Sequence, residues 1–141
     1  MSEVLVLYTN KAVVTQTGAI RIHERFNMKE SAKVNILGVV YTIYDEVSVK
    51  DDIRITDCDG VTDFTTREIL IAEMNSDPNS WKKLDIYKKR TIRHEIVHAI
   101  LFESGLDHNT EWARNEEVVD WIAIQFPKLL DIFKDIEVES F

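Results

Sequence analysis

The sequence predicts an α+β domain: a small twisted sheet packed on two helices, with a third helix closing the base. Three observations predict it. The run Val34 to Val49 carries Val34, Ile36, Val39, Val40, Tyr41, Ile43, Tyr44, Val47 and Val49, residue types that suit a pleated, half-buried surface. From Trp81 to Glu103 the apolar residues Trp81, Leu84, Ile92, Ile96, Ala99 and Ile100 fall near one helical face. Glu111 to Phe126 repeats that period with Val118, Val119, Ile122 and Phe126.

Composition bounds the rest. A chain of 141 residues fits one domain with a real core. Its 45% apolar and 30% charged residues are those of a globular protein. The net charge of −8 leaves no excess of Lys and Arg to meet phosphate, which excludes nucleic acid as a main partner. Lys88-Lys89-Arg90 is a short basic run and reads as a solvated helix face. A single cysteine, Cys58, excludes a disulfide framework and a cysteine-based metal site. No segment approaches the ~20 apolar residues of a membrane span, and the N-terminus lacks the pattern of a signal peptide. The expectation is a cytoplasmic protein with no membrane partner.

Along the chain, Val4 to Tyr8, Lys11 to Thr17 and Ile20 to Phe26 read as two or three short strands around a turn at Gly18. His23 among them reads as a strand-surface histidine. Lys29 to Lys33 is polar and reads as a linker, so residues 1–33 form a β-prone extension and residues 34–141 the main domain. Within Val34 to Val49, Gly38 marks a bulge or bend. Asp51 to Asp63 reads as plain turn: its aspartates fail the twelve-residue spacing of a calcium loop. Cys58 has no histidine or basic neighbour in sequence to activate it. Thr65 to Met74, with Ile69, Leu70, Ile71 and Ala72, is a further strand. Asp77 or Ser80 is expected to cap the first helix, with Pro78 in its first turn. Gly105 stops that helix. Pro127 ends the second helix and starts the third, Lys128 to Ile136, whose apolar residues are Leu129, Leu130, Ile132, Phe133 and Ile136.

Chemistry concentrates in His94-Glu95-Ile96-Val97-His98. Residues four apart lie on one face of a helix, so both imidazoles can point at one metal ion. Glu95 is rotated by roughly 100°, beside the metal, where its carboxylate can hold a water. Zinc binds neutral imidazole and keeps an open position when the protein supplies three ligands. Water activated there attacks a carbonyl near neutral pH, with Glu95 as general base that passes the proton to the leaving amine. The competing reading is a charged helix face carrying two histidines by chance. The helical context and the acidic second helix argue against it.

That second helix offers Asn115-Glu116-Glu117-Val118-Val119-Asp120. Glu116 and Asp120 share a face, so one can reach the metal while the other accepts a hydrogen bond from a ligand histidine's free ring nitrogen. His108, Glu117 and Asp120 compete with Glu116 as third ligand. His108 sits in the connection after Gly105, and Glu117 points about 100° away from Glu116. Asp120 as a ligand leaves Glu116 without a role.

His94-Glu95-x-x-His98 followed by Asn115-Glu116-x-x-x-Asp120 resembles the gluzincin arrangement of zinc metallopeptidases, and is similar above all to its small phage- or prophage-type members. The resemblance covers roughly Val34 to Phe126. It implies a minimal zincin-like fold with His94, His98 and Glu116 as zinc ligands, Glu95 as general base and Asp120 behind one histidine. The metzincin pattern is absent, since Ser104 stands where its third histidine would be. The large gluzincins' oxyanion-supporting residue has no counterpart the sequence identifies among Tyr41, Tyr44, Tyr87 and His108. The expected activity is hydrolysis of a peptide bond in a peptide or protein substrate by metal-activated water. The substrate would lie extended along an edge strand, for which Thr65 to Met74 is the candidate. The alternative is a non-catalytic, zinc-stabilised binding or regulatory module of a mobile element.

Overall fold

A computed structural model describes residues 28–79 and 81–140. The strong β run divides into a hairpin. Strand β1 (Lys29–Ile36) pairs antiparallel with β2 (Val39–Val47), Ile36 opposite Val39 and Val34 opposite Tyr41. The turn between them is Leu37-Gly38, both at positive φ (51° and 93°). That is the geometry whose twist matches a two-residue hairpin. Asn35 Oδ1 accepts from Gly38 N at 2.8 Å and closes it. Gly38 is therefore the turn itself and not a bulge within one strand.

Lys29 to Lys33 is not a linker. It is the outer half of β1, which among the described residues is the outermost strand on its side of the sheet, with these residues exposed. The two or three short strands expected before it, and His23, lie outside the described residues.

Two shorter strands complete a mixed sheet. β3 (Gly60–Asp63) pairs antiparallel with β4 (Glu68–Ala72), and β4 pairs parallel with β2, giving the order β1-β2-β4-β3. β4 is central and buried through Glu68, Ile69, Leu70 and Ile71, as a strand covered on both faces must be. Ile69 and Ile71 join Ile36, Tyr41 and Ile43 beneath Ile92, Ile96 and Ala99. Leu70 points the other way, into a cluster with Val47 and Ile55, as strand alternation requires.

Asp51 to Asp63, expected as plain turn, holds a 3-10 turn (Ile53–Ile55) and β3. Its organiser is Arg54, which ion-pairs with Asp52 (2.6 Å), Asp63 (2.7 Å) and Glu68 (3.0 Å). Carboxylates half-removed from water need such partners, and these tie the last residue of β3 to the first of β4.

Helix α1 (Leu84–Glu103) starts later than expected. Asp77 does not cap it: its Oδ1 accepts from Asn79 N, and the N-cap residue Lys83 makes no side-chain cap bond. Gly105, at φ 80°, ends α1 as expected and leads into the short α2 (Leu106–Asn109).

The expected second and third helices are one, α3 (Glu116–Asp135), with Pro127 inside it. Residues 112–114 form a 3-10 turn, and Asn115, extended at φ −83° and ψ 115°, caps α3 by accepting from Val118 N at 3.1 Å. Proline inside a helix removes one hydrogen bond and frees the carbonyl four residues back. Here that carbonyl is Ala123 O, and it accepts from Arg93 Nε of α1 at 2.6 Å. The helix survives Pro127 because its neighbour supplies the missing donor. Ile132, Phe133 and Ile136 are exposed, so this end of α3 does not close a base.

Candidate metal centre

Helix α1 presents two adjoining stripes. Thr91, Glu95 and Ala99 repeat every four residues and are buried. They press on the sheet so closely at β3 that a Cβ on Gly60 would stand 2.8 Å from Glu95 Oε1 and 2.9 Å from Thr91 Cγ2. Only glycine admits that approach. The neighbouring stripe carries His94 and His98 toward α3.

There the side chains converge. His94 Nε2 lies 3.0 Å from His98 Nε2 and 3.0 Å from Glu116 Oε2, and His98 Nε2 lies 3.4 Å from Glu116 Oε1. The three ligand atoms all fall within 4.8 Å of one another. A tetrahedral centre with bonds of about 2.0–2.2 Å has ligand atoms about 3.3–3.6 Å apart. The distance between the two histidine nitrogens, and that from each to its nearer Glu116 oxygen, fall within a few tenths of an ångström of that.

The donor chemistry fits a cation as well. Asp120 Oδ1 lies 3.0 Å from His94 Nδ1. A carboxylate only accepts, so Nδ1 carries the proton and Nε2 presents a lone pair. A lone pair facing a second imidazole nitrogen and a carboxylate is offset by a positive centre among them, either a proton or a metal ion. His94, His98 and Glu116 are thus a group able to hold a metal ion, and Asp120 fixes one ligand's tautomer.

Asp120 is itself positioned. Arg90 Nη2 donates to Asp120 Oδ2 at 2.7 Å. Burial alone would raise the Asp120 carboxyl, but the bond to His94 and the charge of Arg90 outweigh it and hold the carboxyl below its ordinary range. Glu117 is exposed and takes no part in the cluster. His108 packs edge-on against Phe102, ring centroids 4.7 Å apart, and is not a member of the ligand group.

Glu95 stands on the other side of the imidazoles with 6% of its surface exposed. Thr62 Oγ1 of β3 lies 2.8 Å from Glu95 Oε2 and 2.9 Å from Glu95 O. Burial pushes the carboxyl up, against the pull of that hydroxyl and of the two histidines. A carboxyl whose affinity for protons is raised in this way suits a general base.

Thr62, Arg90, His94, Glu95, His98, Glu116 and Asp120 line one cleft of ≈ 480 Å³ between α1, β3 and the start of α3. Of the four residues considered for oxyanion support, Tyr87 alone lines it. Tyr41 is fully buried and donates to Glu103 at 2.6 Å. The strand along the cleft is β3, through Gly60, Val61 and Thr62. Thr65 to Met74 cannot serve as the edge strand, because its β4 is paired on both sides.

Thr62, Gly60 and Arg90 were not legible as site residues. Arg90 carried a weak signal, since it lies one helical turn before His94 on the same face. No family model, curated protein or solved structure matches the chain.

Proposed function

We propose that the chain is a small gluzincin-type zinc peptidase with a minimal zincin-like fold, working in the cytoplasm on a peptide or protein substrate. One observation carries the reading: two imidazole nitrogens and a carboxylate converge in one cleft, with a buried carboxyl, Glu95, beside them. His94, His98 and Glu116 would hold the ion, leaving one position open. Zinc held there supplies Lewis acidity, polarising a carbonyl and lowering the pKa of water. Glu95 accepts the proton of the attacking water and returns it to the leaving amine. Thr62 keeps the Glu95 carboxylate in place. Among the described residues β3 is the outermost strand on its side of the sheet, and its outer edge would offer backbone groups for an extended substrate to pair with.

One observation favours a second reading, a non-catalytic zinc-stabilised module: Glu95 is packed tightly enough to be explained as part of the wall. The test separates the two. Protein purified without chelator is expected to hold about one zinc per chain and to cleave members of a broad peptide library, while Glu95→Gln keeps zinc and fold and loses cleavage. Equal cleavage by Glu95→Gln removes Glu95 as base. Zinc without cleavage by the wild type leaves the structural module.

A further inference from the structure

Resting on that reading of the cleft, the distribution of charge in it identifies the substrate class. Four carboxylates line the cleft, Asp59, Glu95, Glu116 and Asp120, against one guanidinium, Arg90. Asp120 is matched by Arg90 and by His94. Glu95 and Glu116 flank the metal position, where a divalent charge offsets both. Lys88, on the same helix, is tied to Asp45 at 3.0 Å. The charge left over belongs to Asp59.

Asp59 is also held in place. Its carbonyl accepts from Ala72 N at 3.0 Å, which anchors its backbone to the sheet. Its Oδ2 accepts from the Tyr87 hydroxyl. That hydroxyl stays protonated, since the bond to Asp59 and then burial push its pKa up to about 12. A neutral donor orients a carboxylate without cancelling its charge. The Tyr87 ring stacks on the exposed Trp81, centroids 6.0 Å apart, and has the Arg90 guanidinium 6.0 Å from its centroid, so the aromatic surface presented beside the carboxylate is the indole. A carboxylate beside aromatic faces suits a side chain with an aliphatic stem and a cationic head.

We propose that Asp59 sets the substrate preference of the cleft by selecting a lysine or arginine side chain about three residues from the bond being cut. The spacing follows from geometry. Tyr87 precedes His94 by seven residues, about 10 Å along a helix. An extended peptide covers that distance in about three residues.

The test uses the full chain carrying Glu95→Gln, loaded with zinc, so that binding is read without turnover. Matched peptides carry Lys, Gln or Glu at one position, moved stepwise along the sequence, and affinity is read by fluorescence anisotropy. At one position Lys is expected to be preferred over Glu by roughly three- to tenfold, the scale of an exposed charge contact. The preference shrinks with salt. Adding Asp59→Asn flattens it, and adding Asp59→Lys reverses it in favour of Glu, which misfolding cannot do. No preference, a preference that survives both substitutions, or no binding overturns the proposal. The hydrolytic reading fails separately if the wild type leaves uncut the same peptides that the Glu95→Gln protein binds.

Discussion

Glu95 and Glu116 stand on opposite walls of the same cleft and differ in everything but chemistry. Glu95 is 6% exposed, wedged under Gly60 and bonded to Thr62. The Glu116 side chain is 70% exposed and is the first residue of its helix. The first wall is set by packing of α1 on β3, whose positions cannot shift without displacing the core. The second is set by polar contacts: the Asn115 cap, the Arg90–Asp120 pair and Arg93 on Ala123 O. Damage to the first wall should therefore appear as lost stability. Damage to the second should appear as lost metal.

The largest effect tests the second wall. On the proposed reading Glu116→Ala removes a ligand and is expected to weaken zinc by far more than the ~10–100-fold that loss of an outer carboxylate costs. Asp120→Ala should fall within that range, since it touches His94 and lies outside the ligand group. Chelator competition measures both. Equal losses, or a larger loss at Asp120, would exchange their roles.

Gly60→Ala tests the first wall. The added methyl meets Glu95 and Thr91 below 3.0 Å, so overpacking is expected to cost about 1–3 kcal/mol. Urea unfolding reads this directly, and an unchanged midpoint would show that the wall yields.

Asp63 offers a pH test of the support behind β3. The Thr65 hydroxyl first, then Arg54 and the amides of Thr65 and Thr66, hold its carboxyl well below the usual carboxylate range against the opposing effect of burial. A depressed carboxyl stabilises the fold above its unfolded value and loses that contribution as pH falls through the folded one. Asp63→Asn should cost about 1–2 kcal/mol near neutrality, and the gap from wild type should close progressively below about pH 4. A gap independent of pH would exclude the charge as its source.

The smallest effect is at the cap. Asn115→Ala should cost about 1 kcal/mol and weaken zinc slightly, because Glu116 follows it directly. A loss of stability with metal affinity untouched would detach the cap from the ligand.

The α1 half of the centre was readable because ligand spacing on one helix is a local property: His94 and His98 share a face wherever that helix lies. Glu116 and Asp120 were readable for the same reason. The strand beside them was not, because Gly60-Val61-Thr62-Asp63 has no apolar alternation and becomes a strand only through pairing with β4. The preference for Thr65 to Met74 as the edge came from its nearness in sequence to α1, whereas sheet order placed β4 in the middle. Pro127 read as a helix end because its cost is local, while the compensation by Arg93 comes from another helix.

That compensation has a consequence for moving the site elsewhere. The guanidinium of Arg93 reaches a carbonyl that is free only because Pro127 follows four residues later, so the two helices mate at a tooth as well as at the Arg90–Asp120 pair. Sliding α3 by one turn in either direction would separate Arg93 from the carbonyl that Pro127 leaves open. The register that brings Glu116 to His94 is thus indexed by a residue pair that touches neither the cleft nor the metal position. A designer transplanting this centre to a new scaffold needs the tooth along with the ligands: Arg93 on one helix, and Ala123 with Pro127 on the other.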